Sequence, residues 1–429
     1  MKIHRVVPLT RTKNTTISAS RDSEKISTGP PDRRFNLIDQ KKCGFEARCE
    51  GRRIAASVRE TTIEPQRRGR WWRPLLYWFV AFATIAAPVP AASQGSKLVG
   101  TGAIGPSEQG WSVALSADGE TAILGGIVDN KLMGAAWVFT HNNDVWTQQG
   151  GKLVGTGVVG HAGQGISVAL SADGNTALVG GPYDNSYIGA AWVFTRGGGV
   201  WTQQGSKLIG AGAVGNAAQG AAVALSADGN TVIVGGPADD SYAGAAWIFT
   251  RSDGVWKQIG SKLIGSGAVG KTGQGFSVAL SADGNTAIVG GPGDNANIGA
   301  AWVYSRSGAT WSQQGSKLVG SRAVGESKQG HCVALSADGN TAIVGGLGDS
   351  SYSGAAWAFS RSGATWSQQG DKLVGFGAIG HAEQGFSAAL SADGNTAVVG
   401  GIADDRVTGA AWVHNRRGGT WTQGPFLGF

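Results

Sequence analysis

Two sets of aspartates recur through this chain of 429 residues at a constant step of 55. The first set is Asp129, Asp184, Asp239, Asp294, Asp349 and Asp404. It sits in loop-like segments such as PYDNSYI and PADDSYA, and it is doubled at Asp239-Asp240 and Asp404-Asp405. A carboxylate offered from every copy could ligate a cation or accept from sugar hydroxyls; it could equally close an Asx turn on its own backbone. Presence in every copy favours the turn, since shape is what all copies share. Tyr183, Tyr187, Tyr242 and Tyr352 fall in the same segments, four of the six tyrosines in the chain. Exposed tyrosine, with a flat apolar ring and a polar tip, is enriched where proteins touch partners. The candidate ligand-binding residues are therefore Tyr183, Asp184, Tyr187, Asp239, Asp240, Tyr242, Asp294, Asp349, Tyr352 and Asp404.

The second set, Asp118, Asp173, Asp228, Asp283, Asp338 and Asp393, belongs to the tetrapeptide SADG. Asp-Gly is hairpin-turn chemistry. One carboxylate per turn falls short of the six to eight oxygens that calcium takes, so no metal and no cofactor is expected. Histidines offer little more. His161 and His381 hold equivalent positions that other copies give to Pro106, Asn216, Lys271 and Glu326; His331 stands at a strand start, and His141 and His414 lie near the ends of third strands. No nucleophile with its base and no metal-spaced histidines stand out, so no catalytic residue is assigned and the chain is not read as an enzyme.

A repeat carries these residues. Trp137, Trp192, Trp247, Trp302, Trp357 and Trp412 keep the step of 55, and so does a second series from Trp146 to Trp421. Fixed-period self-similarity marks an array whose single unit cannot bury its apolar face alone. Within residues 275–314, the stretch 276–281 alternates large with small, Asp283-Gly284 turns the chain, and 286–290 returns. Residues 299–306 then form a third strand, with Trp302 and Tyr304 on one side and Ala301 and Val303 on the other. A fourth, more polar strand runs from Thr310 to about Leu318. No stretch has a helical period, so the expected fold is all-β: a β-propeller of six four-stranded blades over residues 93–429.

Because an antiparallel chain reverses at every turn, two loop sets share one face: those joining second to third strands, and those leading from a fourth strand to the next blade. These sets hold most of the variation between copies. The SADGN and RSGA turns share the other face. Residues 94–98 read as the missing half of the last blade's fourth strand, which predicts a ring closed by joining its two ends.

The order Gly-Phe-Ser opening the first strand, Gly-Gly-Pro closing the second and Gly-Ala-Ala-Trp-Val-Tyr opening the third resembles the FG-GAP repeat, the unit of the integrin alpha-chain head and of many bacterial surface proteins. The likeness covers about 330 residues. It implies a propeller that binds or adheres at a surface. The family's calcium loop, D-x-D-x-D-G, is here reduced to SADGN, so the resemblance does not carry its metal across.

Composition divides sharply at residue 92. The first 92 residues hold 18 Lys and Arg against 8 Asp and Glu, leaving 18 against 21 in the repeats. The repeat region is thus mildly acidic, which disfavours nucleic acid as a partner. Residues 1–66 read as a disordered or untranslated leader. Arg67, Arg68, Arg70 and Arg73 then precede the apolar run LLYWFVAFATIAA and a small-residue exit, the pattern of a signal peptide over 67–92 or, alternatively, of one apolar helix anchoring the chain through 74–92. Either way the positive-inside rule sends the repeats to the extracytoplasmic side. Cys43 and Cys49 lie in the leader, and Cys332 takes a position that most copies give to serine, as a core filler.

Three functions fit: an exported, monomeric propeller binding an extracellular protein or carbohydrate through one face; a self-assembling surface protein; and an exported propeller enzyme such as a hydrolase or lyase. Loop variation over a constant scaffold favours the first.

Overall fold

The computed structural model describes residues 97–424, all within the compact unit Pro88–Phe429. The leader, the apolar run, Cys43, Cys49 and residues 94–96 of the expected closing segment lie outside the described residues. Among the described residues no helix is long and apolar enough to cross a membrane.

The chain folds as a six-bladed β-propeller, each blade an antiparallel sheet of four strands in sequence order. In the fourth blade the strands are Ser277–Leu280, Thr286–Gly291, Ala300–Ser307 and Thr310–Gln313. The fourth strand is shorter than expected. It stops at Gln313, and the chain bends so that Leu318 forms a separate antiparallel bridge with Ala301 of the same blade.

The third strand explains why one unit cannot stand alone. Trp302 and Tyr304 pack with Ile233, Ala246 and Ile248 of the preceding blade, whereas Ala301 and Val303 pack with Val344, Trp357 and Phe359 of the following one. Both faces are buried between neighbours. The indole of Trp302 donates to the carbonyl of Ser266 at 2.9 Å, and the linker backbone lies flat against its ring. A Cβ on Gly265 would fall 2.1 Å from Trp302 Cδ1, so that position has no room for a side chain.

A side-chain clasp reinforces three of the five junctions between consecutive blades. Arg196 Nη1 and Trp201 Nε1 of the second blade both donate to Gln149 Oε1 at the end of the first, at 3.1 and 2.9 Å. Arg251 and Trp256 do the same to Gln204, and Arg361 and Trp366 to Gln314.

Among the described residues the expected ring closure is not made. Five bridges recur from Ala136 with Leu153 to Ala356 with Leu373. The sixth, Ala411 with Leu98, is absent, and Leu98 packs beside Trp137 of the first blade. Backbone bonds between first-strand ends run from Ala117 N to Ala172 O through Ala337 N to Ala392 O, and stop there. Val413 of the sixth blade is consequently 43% exposed where Val303 is 1%, and Val113 of the first blade is 69% exposed. The clasp shows a physical reason. His141 stands where the other five blades have arginine, and Gly424 where four of the other five have glutamine, so neither end carries the groups that lock the internal junctions.

Candidate binding face

Asp184 joins the two loop sets. Its Oδ1 accepts the backbone N–H of Val159 at 2.8 Å, from the linker entering the blade, and its Oδ2 accepts Lys207 Nζ at 2.5 Å, from the linker leaving it. Asp129, Asp239, Asp294 and Asp349 repeat both contacts with Lys152, Lys262, Lys317 and Lys372. These five carboxylates are buried. Each acts as an internal rivet, capping a backbone 25 residues away rather than its own turn. Asp404 keeps the backbone contact, to Ile379 N, but position 427 is leucine and supplies no cation.

Directly after each rivet the chain makes a left-handed turn. In the second blade Asn185, Ser186 and Tyr187 have φ of 48°, 56° and 72°, and every blade repeats this with non-glycine residues. Left-handed backbone costs L-residues roughly 1–2 kcal/mol each. The rivet, the bond from Gly189 N to Asp184 O at 2.9 Å and that from Ala218 N of the next linker to Tyr187 O at 2.8 Å hold it in place. The turn therefore sits over the junction between two blades.

Of the tyrosines, the structure brings only Tyr183 and Tyr187 together, edge to face with centroids 5.2 Å apart. Tyr183 is half-buried under Gly163, and burial, reinforced by Tyr187, raises its pKa. Tyr242 and Tyr352 are exposed, each on its own blade. Lys271 lies 5.7 Å over the Tyr242 ring, and Lys328 lies 4.8 Å over that of Tyr352 while donating to its hydroxyl at 2.8 Å. Asp240 is exposed beside Tyr242. The candidate residues thus mark separate places around one face, not one cluster. Among the described residues no three His, Cys, Asp or Glu side chains stand together to hold a metal.

On the opposite face, Asp173 serves its own hairpin. Burial opposes its charge, but the Ser171 hydroxyl and the Asn175 N–H and amide outweigh that and lower its pKa. Arg196 Nε donates to Asn175 Oδ1, tying this turn to the one between third and fourth strands. Cys332 donates its thiol to Gly385 O, and burial pushes its pKa up to about 12, so it is an unreactive thiol.

Sequence reasoning missed two residues that build the face. Lys207 and its equivalents form the second half of five rivets; the signal was a lysine at a fixed 23 residues after five of the six aspartates. Gln164 is fully buried and accepts Gly155 N at 2.6 Å, pinning the linker against Trp192. It repeats in all six linkers, at the end of the segments that otherwise vary.

No protein-family model matches the chain, and no curated protein does. Solved structures do. A candidate 6-phosphogluconolactonase from Bacteroides uniformis aligns with a TM-score of 0.52 at 14% identity, over 73% of this chain and 83% of that one. A protein of unknown function from Desulfotomaculum acetoxidans aligns with a TM-score of 0.47 at 14% identity, over 71% and 81%. At such identity the likeness to the Bacteroides protein shows the propeller fold alone.

Proposed function

We propose that this chain is an exported, non-catalytic binding or adhesion propeller of the FG-GAP type. In this reading it recognises an extracellular protein or carbohydrate through the riveted loops of one face. The observation that supports it is the left-handed turn. Six strained turns, held by buried ion pairs in five blades, present side chains that differ from blade to blade, among them Tyr187, Tyr242 and Tyr352. Strain kept where the sequence is free to vary is a feature of surfaces built for contact. Asp184, Asp239, Asp294 and Asp349 serve by positioning the turns, and Asp240 and the tyrosines by touching the partner.

The test is a glycan and extracellular-protein array probed with the full chain and with the triple variant Tyr187→Ser, Tyr242→Ser, Tyr352→Ser. Because Asn175 and Asn230 are tied to arginines, the control on the other face is Ser307→Ala with Ser362→Ala. Binding lost in the tyrosine variant and kept in the control supports the face; the reverse removes it. A second reading, self-assembly at a surface, draws on the two apolar end faces of the first and sixth blades. Sedimentation as a single species at every concentration would dismiss it.

A further inference from the structure

Three departures from the repeat converge on one cleft at the outer edge of the sixth blade. Phe376 replaces the small residues Thr101, Thr156, Ala211, Ser266 and Ser321; His414 replaces Phe139, Phe194, Phe249, Tyr304 and Phe359; and Gly424 stands at the position of Gln149, Gln204, Gln314 and Gln369. All three line a cleft of about 470 Å³, together with Trp421, Lys372 and Gln423. That volume is within the range that holds a small ligand. A blade that only repeated its neighbours would have neither Phe376 nor His414 in this lining.

The exposed aromatic at the mouth is particular to this blade, while the unpaired atoms beneath it have a parallel in Tyr304 Oη and Trp311 Nε1 of the fourth blade. Phe376 is 78% exposed at the mouth, held by its N–H to Gln423 Oε1 at 2.6 Å and by its carbonyl, which accepts Trp412 Nε1 at 3.0 Å. His414 is 2% exposed, yet its Nε2 has no partner, and neither has Trp421 Nε1. The indole lacks its usual acceptor because Gln369 turns instead to donate to Ser360 Oγ at 2.6 Å. Buried polar atoms left unpaired cost stability, and beside a cleft a ligand can satisfy them. The cleft carries no unbalanced charge: Lys372 is paired with Asp349 at 2.5 Å, and burial lowers the pKa of His414, keeping the ring neutral.

We propose that this cleft binds one neutral saccharide unit, whose apolar face stacks on Phe376 and whose hydroxyls pair with His414 Nε2 and Trp421 Nε1. A hydroxyl both donates and accepts, so it satisfies the indole N–H and either tautomer of the imidazole. An anion would find no free cation here, and a purely apolar ligand would leave both nitrogens unpaired. The site goes beyond the loop-face reading, since none of its residues belongs to the left-handed turns.

The experiment titrates the full chain with methyl β-D-glucoside, methyl β-D-galactoside, methyl α-D-mannoside and N-acetylglucosamine, read by saturation-transfer NMR and tryptophan fluorescence. At least one is expected to bind with a millimolar or tighter Kd. His414→Phe and Phe376→Ser should each weaken it about tenfold or more. Both substitutions restore residues of the kind that other blades carry, so folding is kept, and circular dichroism verifies it. If none of the four sugars binds, or if binding survives both substitutions, the proposal falls. If binding is lost only in the Tyr187, Tyr242, Tyr352 triple variant, the sugar is held by the loop face and the cleft assignment is overturned.

Discussion

Lys207 reaches Asp184 across 23 residues of chain, and the pair closes at 2.5 Å with the carboxylate shut away from solvent. Removing the cation leaves a buried carboxylate uncompensated, which costs about 3–5 kcal/mol. Lys207→Met should therefore lower the Tm clearly. Asp184→Asn retains an acceptor for Val159 N and should lose less. Thermal melts of the two variants check the order; an unchanged melt for Lys207→Met would mean that the rivet carries no stability.

Tyr304 is the one tyrosine among the third-strand aromatics, and its hydroxyl is buried without a partner. Burial alone raises its pKa. Tyr304→Phe restores the residue that most blades carry and relieves the orphaned oxygen, so stability should rise by about 1 kcal/mol. The converse, Phe194→Tyr, should destabilise. Denaturant midpoints measure both.

Below neutrality two kinds of group act in the same direction. His331, stacked between Phe276 and Phe386, has its pKa lowered to about 4 by burial. The unfolded imidazole, with its ordinary value near 6.5, takes up a proton first, so stability falls as pH drops from about 6.5 to about 4. His331→Phe should flatten this window, by on the order of 3 kcal/mol at most. Further down, Asp393 is held to about 2 by the Ser391 hydroxyl and the Asn395 N–H. Its folded pKa lies below the unfolded one, so its contribution is present above about 4 and lost as pH falls towards 2. Melts from pH 7 to pH 2 should show two descending steps, the upper one reduced in His331→Phe but not abolished, because burial also lowers the pKa of His414.

Leu153 is buried and bridged to Ala136, whereas Leu98 is half-buried and unbridged. Leu153→Ala should cost about 2–5 kcal/mol, and Leu98→Ala distinctly less. Equal losses would show that the first and sixth blades do meet in solution.

The blades were legible because their signals are local and repeated: Asp-Gly turns, alternating first strands and a third strand with tryptophan on one side. The linker was not. Reading Leu318 as the end of a fourth strand followed from its polar-apolar pattern, but Gly320 lies against Trp357, and the backbone must leave the sheet to do so. The aspartates at Asp184 and its equivalents were seen as a set, with ligand or Asx turn as alternatives; their partners lie 25 residues before and 23 after, beyond any window that local propensity covers. Closure was also expected from sequence, on the strength of residues 94–98. It depends on His141 and Gly424, which depart from the repeat at its two ends, and end departures are hard to weigh without the clasp in view.

Two of those clasps are incomplete inside the array, between third and fourth blades and between fifth and sixth, where Gln369 turns to Ser360 and Trp421 Nε1 is left unpaired. Ile259 stands where Gln149, Gln204 and Gln314 accept, so Trp311 Nε1 is left unpaired and Arg306 turns to Gly308 O at 2.7 Å. The junction between third and fourth blades therefore lacks the bonds that lock its neighbours on either side. In a linear array, where each unit answers only to the next, such a joint sets the mechanical order. Pulled from its ends, the molecule should yield first at one of these two joints, parting into two halves of three blades or shedding the sixth blade. A single Ile259→Gln replacement would leave the joint before the sixth blade as the point of rupture.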